Sequence, residues 1–381
     1  MSILIGGDTV PTKKDIHLFQ TGDVSLLLSF DLWKIWESVD FRIVNLEVPL
    51  TDESSPIVKS GPNLIAPSST IVGYKNLDIN LVTIANNHIL DQNEKGVLST
   101  CDLLEKNGIA YIGAGANLKE ASEPYCFYCA GKKVGVYACA EHEFSIATED
   151  SAGANPFDPL ESFDHVHKLK MQCDYVIVLY HGGRELYRFP SPDIQKICRK
   201  FIDMGADLIV CQHSHCIGCA EEYHDGIIVY GQGNFIFDYN NNEMWQTGLL
   251  IKIDDSFNVS YIPIEKNNIG VRLANKERRD QIIASFRERT KIIKQKTVIE
   301  GNYSAFAEKM LDEYLISISG YTKNMVFRIV NKITRHQFGK ILMEARYKKR
   351  SLLALSNYIK CEAHRELLLR GINERLEKYN K

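Results

Sequence analysis

No apolar run in this 381-residue chain approaches the ~20 residues that a bilayer-spanning helix needs. The opening residues, Met1-Ser2-Ile3-Leu4-Ile5-Gly6-Gly7-Asp8, have neither a basic n-region nor a long apolar h-region. No secretory signal is therefore expected, and a cytoplasmic location is. Low-complexity tracts and internal repeats are absent. Proline is sparse, with 11 residues and none after Pro263, and glycine becomes rare beyond about Val271. The ten cysteines are not few, but without a secretory signal they are expected to stay reduced. Two Cys-x-x-Cys pairs, Cys126/Cys129 and Cys216/Cys219, invite a zinc reading. The first lies in Tyr125-Cys126-Phe127-Tyr128-Cys129, which reads as a strand, so small buried apolar side chains are the reading adopted.

The net charge of −3 conceals an asymmetry. Residues 1–270 carry 20 basic and 36 acidic side chains, a net −16, whereas residues 271–381 carry 25 and 12, a net +13. So sharp a break predicts two units. Up to about Pro263, short apolar runs alternate with helical patterns. Ser2–Gly6, Phe41–Asn45, Ile79–Ile84, Ile109–Ile112, Val134–Cys139, Tyr175–Leu179 and Leu208–Cys211 read as buried strands. Helices are predicted over Asp91–Asn107, capped by Asp91, and over Ser191–Gly205, with Pro192 in its first turn. The alternation predicts an α/β fold with a mainly parallel sheet. The runs Gly226–Tyr230, Gly248–Ile253 and Asn258–Ile264 have no helices between them and read as antiparallel. From about Val271 apolar residues recur at helical spacing, which predicts an all-helical unit of four or five helices.

Five strands end in a metal-ligating residue type. The ends read Gly6-Gly7-Asp8, Asn45-Leu46-Glu47, Ala85-Asn86-Asn87-His88, Leu179-Tyr180-His181 and Cys211-Gln212-His213-Ser214-His215. The carboxyl edge of an open α/β sheet is where ligands gather, so parallel strands would bring these residues together. Carboxylates mixed with neutral imidazoles suit Mn, Fe or Zn better than Ca or Mg. A pair of ions ~3.5–4 Å apart needs a bridging carboxylate, and Glu47 is placed to be one. His213 and His215 would share a face on an extended segment but could reach different metals from a tight loop.

These motifs, with Asp91, His181-x-Gly183-x-Glu185 and Gly231-Gln232-Gly233-Asn234-Phe235-x-Phe237-Asp238, resemble the bacterial capsule-synthesis (CapA) family over roughly residues 1–265. That family is similar to the calcineurin-like metallophosphoesterases. The resemblance implies a four-layer α/β/β/α sandwich over 1–265, followed here by a basic helical domain over 271–381. It implies divalent metals, one or two, near Asp8, Glu47 and His215 and near Glu47, Asn87, His181 and His213. His88 would be the general acid. Asp91 and Asn234 would orient histidines. Lys59, Arg184, Glu185 and Asn234 would meet an anionic substrate, with Arg188 a further candidate.

Four positions depart from the family's pattern. Val10 stands where the first motif has histidine, the bridging residue is Glu47 rather than aspartate, Gly182 replaces a tryptophan, and Ser214 replaces a proline. The function implied is a metal-dependent hydrolase linked to capsule and poly-γ-glutamate biosynthesis. It would act through a metal-bound hydroxide on a phosphoester or γ-glutamyl-type bond. The alternative is a non-catalytic accessory protein in capsular polymer synthesis. The partners expected are an anionic small-molecule or polymer substrate and a capsule-synthesis protein, not nucleic acid. The basic helical segment is expected to pack on the acidic domain.

Overall fold

A computed structural model describes residues 2–237 and 242–379; Asp238 of the last motif lies outside them. The apolar runs become strands that place side chains alternately on two faces. In chain order they are β1 Ile3–Thr9, β2 Phe41–Leu46, β3 Leu81–Thr83, β4 Ala110–Ile112, β5 Ala114–Gly115, β6 Tyr125–Cys129, β7 Lys132–Ala140 and β8 Gly153–Ala154. There follow β9 Tyr175–His181, β10 Leu208–Gln212, β11 Ile217–Tyr223, β12 Gly226–Gln232, β13 Thr247–Ile253, β14 Val259–Lys266 and β15 Val271–Leu273. A seven-stranded sheet has the order β15-β14-β13-β1-β2-β3-β4, and a six-stranded sheet the order β11-β12-β10-β9-β7-β6.

The two sheets pack face to face. Ile3, Ile5, Ile43 and Leu81 of the first share one apolar core with Val134, Val136, Ile177, Leu179 and Val210 of the second. The intervening residues of the second sheet, among them Tyr137, Val176, Val178, Tyr180 and Ile209, point the other way. They pack on Val166, Ile194, Cys198 and Phe201 of the helices Ser162–Lys170 and Pro192–Asp203. The outer face of the first sheet is covered by helices carrying Phe19, Leu32, Trp36 and Tyr74. This is the four-layer arrangement expected.

Each of the seven runs expected to be buried strands carries one, and their pairing is parallel within each sheet. The later runs pair antiparallel as expected, β12 with β11 and β13 with β14, and β12 in addition lies parallel to β10 on its other side. The unforeseen strand β11 is the reason: it runs back antiparallel at the sheet edge and makes the return a helix would otherwise make. Its sequence, Ile-Gly-Cys-Ala-Glu-Glu-Tyr, offers neither alternation nor an apolar run. Ser191 caps its helix as expected, accepting from Ile194 N at 3.1 Å behind Pro192. Asp91 caps nothing. Its helix begins at Asn93, and its carboxylate is held elsewhere.

Backbone contacts divide the chain into a unit Met1–Glu300 and a unit Gly301–Lys381. Residues at the expected change of pattern, Val271–Leu273, form one more strand on β14 before the helix Lys276–Ile292 begins. The second unit holds the helices Met325–Ile333, Gln337–Arg346, Lys349–Lys360 and Glu362–Tyr379, with Phe327 and Met343 buried within it.

Candidate metal centre

The parallel register of β1 on β2 sets Asp8 beside Asn45, and a bulge between Ile5 and Asp8 turns the end of β1. Gly7 allows this, since a Cβ there would collide with the Gly233 carbonyl. Asn45 Nδ2 donates to Asp8 Oδ1 at 2.7 Å. Glu47 follows β2 directly, and Asn87 and His88 follow β3. From the other sheet come His181 at the end of β9, and His213 and His215 just beyond β10. The six residues expected to bind metal thus converge from both sheets, Asp8, Glu47 and Asn87 from one and His181, His213 and His215 from the other.

All six residues expected to bind metal belong to one connected cluster. His181 Nε2 lies 3.0 Å from Asn87 Oδ1, 3.1 Å from His213 Nδ1 and 3.3 Å from Glu47 Oε1. His215 Nδ1 lies 3.3 Å from Asp8 Oδ2. Among the described residues, Glu47, His213 and His215 form a group able to hold a metal ion, with ligand atoms all within 4.8 Å of one another.

The loop between the last two histidines is tight. His213 has φ 82° and His215 φ 51°, the left-handed region that side chains larger than glycine seldom adopt. Both are buried, so packing enforces a conformation that costs energy locally, a pattern that clusters at functional sites. The consequence is that each imidazole faces its own partners: His213 meets His181, and His215 meets Asp8 and Asn234. Asn234 Oδ1 lies 2.9 Å from His215 Nδ1, the position of an orienting group. Trp245 walls this side, its ring 4.2 Å from that of His215.

Two features test whether these residues fit a divalent ion. Both carboxylate oxygens of the wholly buried Glu47 lack a hydrogen-bond partner. Its one ion-pair contact among the described residues is with His181 at 3.3 Å, and a buried carboxylate met so thinly is costly unless a cation joins it. Around His181 Nε2, two oxygens and a ring nitrogen lie within 3.3 Å, yet that atom carries one proton at most. A cation among them would satisfy both. The residues fit, and the set of carboxylates, amide oxygen and imidazoles suits Mn, Fe or Zn.

Protons compete for the same atoms. Burial pulls the His215 imidazolium down, but the charges of Glu47 and Asp8, with hydrogen bonds to Asp8 and Asn234, overcome it and push the group up to about 9. Burial acts on Asp8 in the opposite sense to its partners, and His215, His181 and Asn45 together hold it down to about 2. His213 is held well below the usual imidazole range by burial and then by the neighbouring His181 and His215. The free protein therefore keeps a proton on His215 that a metal must displace. Metal affinity is expected to rise about tenfold per pH unit between pH 7 and 9 and to level off above that. Titration calorimetry in buffers of different ionisation enthalpy checks both the slope and the released proton.

The remaining expected site residues divide. His88 Nδ1 lies 2.6 Å from Asp91 Oδ2, and Asp91 is wholly buried. Lys59, expected to meet substrate, has its ammonium on Asp91 Oδ1 and 3.3 Å from His88 Nδ1, with its side chain 3% exposed. It belongs to the His88–Asp91 network. Arg184 and Glu185 stand exposed on the loop after β9. Arg188 donates to the Ile217 carbonyl at 2.8 Å. Val10 is buried and apolar, so the first motif supplies no ligand at that position.

Three neighbours of the cluster carried no expectation. Asn45 reaches both Asp8 and His181, and Asn86 Nδ2 donates to Asn45 Oδ1 at 3.1 Å. Glu141, just past the end of β7, accepts from Gly183 N at 3.0 Å, and burial raises its carboxyl. Glu141 also explains Gly182. A Cβ at Gly182 would lie 2.5 Å from Glu141 Cγ, so a larger residue there would displace this carboxylate. The signal available was positional: β7 runs parallel to β9 and ends on the same edge.

Comparison with known proteins follows the same stretch of chain. The family model described as bacterial capsule synthesis protein PGA_cap matches residues 2–239. The capsule biosynthesis protein CapA of Bacillus anthracis is 30% identical over 208 residues, covering 52% of this chain and 51% of that protein. The PGA biosynthesis protein CapA of Bacillus subtilis is 26% identical over 212 residues, covering 54% and 55%. The chain thus spans about half the length of the curated relatives it matches. Among solved structures, a phosphatase from Mycoplasma pneumoniae covers 70% of this chain and 94% of its own at 14% identity, with a TM-score of 0.44. So loose a likeness adds no weight.

Proposed function

The chain belongs to the bacterial capsule synthesis protein PGA_cap family, and from that premise we propose that it is a metal-dependent hydrolase acting on a phosphoester or γ-glutamyl-type bond in capsular polymer synthesis. The observation that carries the reading is Glu47, whose two oxygens are buried without a hydrogen-bond partner amid Asp8, Asn87, His181, His213 and His215. Asp8, Glu47, Asn87, His181, His213 and His215 would hold a divalent ion, which would supply Lewis-acid chemistry and a water of lowered pKa. Glu47, 3.3 Å from His181 and within 4.8 Å of ligand atoms of His213 and His215, would hold the ion together with them.

The protein's own groups supply the rest. Asn45 fixes Asp8 and His181, and Asn234 fixes His215, so the ligand set is pre-arranged. Asp91 takes the Nδ1 side of His88, which leaves Nε2 to deliver a proton to the leaving group. Lys59 balances the buried Asp91 carboxylate and keeps the dyad in register. His88 remains partly accessible, as a group that must meet substrate requires.

The test is hydrolysis of p-nitrophenyl phosphate, bis-p-nitrophenyl phosphate and γ-glutamyl peptides by the full chain with Mn, Fe or Zn. Turnover of one class is expected, lost in His213→Ala. A protein that binds metal and turns over none of them would favour the second reading, a non-catalytic accessory role. Val10 is the observation on that side, because it removes one expected ligand.

A further inference from the structure

Beside the metal cluster, but separate from it, a cavity of about 230 Å³ is lined by Arg188, Arg278 and Arg289, with Gln281, Ser285 and Thr247. Two of the guanidiniums converge. Arg188 Nη1 donates to the Ile217 carbonyl at 2.8 Å, and Arg289 Nη2 donates to the same oxygen at 3.2 Å. Arg289 Nε also donates to the Gly218 carbonyl at 2.7 Å. Two cations meeting at one carbonyl repel each other, and burial and Arg188 hold the Arg289 guanidinium down at about 10.

Compensation is thin. Among the described lining residues the single carboxylate is Glu243, which is 82% exposed and 3.6 Å from Arg278. Arg188 uses one of its five N–H donors and Arg289 two, which leaves a fork of donors facing the cavity. Three of the cavity's walls come from segments that also build the metal centre. Arg188 lies on the loop after His181, Ile217 follows His215 by two residues, and Thr247 follows Trp245, which packs on His215. The fourth wall is the helix Lys276–Ile292.

We propose that this cavity is an oxyanion-binding site that takes a carboxylate or phosphate group, with Arg188 and Arg289 as its fork and the more exposed Arg278 as a third cation. Guanidinium groups match both anions bidentately. Gln281 and Ser285 add neutral donors. Glu243 is a resident competitor on the solvent side. The inference stands on this cavity alone and goes beyond the metal reading.

The test is calorimetric titration of the full chain with inorganic phosphate and, separately, with glutarate. Which of the two binds more tightly identifies the anion as phosphate or carboxylate. Arg278→Gln is expected to weaken binding roughly tenfold, since it removes one charge-assisted contact. It touches no backbone group, so it should fold as the parent does. Arg289→Gln is expected to weaken binding at least as much. Glu243→Gln is expected to tighten it. His213→Ala, which disables the metal cluster, should leave anion affinity unchanged, so failure of the metal reading would not be mistaken for failure here. Binding abolished by His213→Ala but indifferent to Arg278→Gln would overturn the proposal. So would no binding of either anion up to roughly 10 mM.

Discussion

Glu47→Gln is expected to weaken divalent-metal binding by more than about 100-fold, because groups that only support a ligand already contribute 10–100-fold. The substitution keeps the side chain's size and removes the charge. The parent's two oxygens lie buried with no hydrogen-bond partner, so the charge itself is what the site offers a cation. Thermal melting reads the difference. At a metal concentration about 100 times Kd, binding stabilises the native state by about 2.7 kcal/mol. For a unit of this size that is a rise of about 4 °C in Tm. The Glu47→Gln protein should show no such rise until the metal is raised about 100-fold. An equal rise in both proteins would place the ion elsewhere.

His88→Asn is expected to lower kcat by about 10²–10⁴ while leaving metal content intact. His88 contacts Asp91 and Lys59, not the atoms that gather around Glu47. Its loss therefore removes proton delivery without opening the cluster. Metal analysis beside steady-state kinetics separates the two effects. A His88→Asn protein with full turnover would remove the general-acid role, and one that loses its metal would make His88 part of the binding set.

The strand ends were legible because each apolar run stops abruptly at a polar residue, and parallel pairing leaves those residues one place to go. Asp8, Glu47, Asn87, His181, His213 and His215 were found that way and lie together. Residues whose role depends on a distant partner were not. Asp91 reads as a helix cap from its position, but the His88 ring and the Lys59 ammonium claim its carboxylate. Lys59 sits 32 residues upstream of Asp91 in a segment without regular structure, so nothing in its spacing announces the pair. Glu141 becomes relevant because Gly182 leaves room for it, a relation between two neighbouring strands. Strand β11 has one large aliphatic residue, Ile217, so it does not read as a strand, and the parallel pairing of β12 on β10 that it makes possible is not legible either. The left-handed turns at His213 and His215 are likewise invisible locally, since neither residue is glycine.

The central claim is that Glu47 and its neighbours hold a divalent ion. Elemental analysis of the full chain, purified without chelator and dialysed against Mn, Fe or Zn, measures this directly. The account predicts at least one equivalent of metal per chain, lost in Glu47→Gln and in His213→Ala. A folded chain that retains none of the three metals, or retains them equally in both variants, would contradict it.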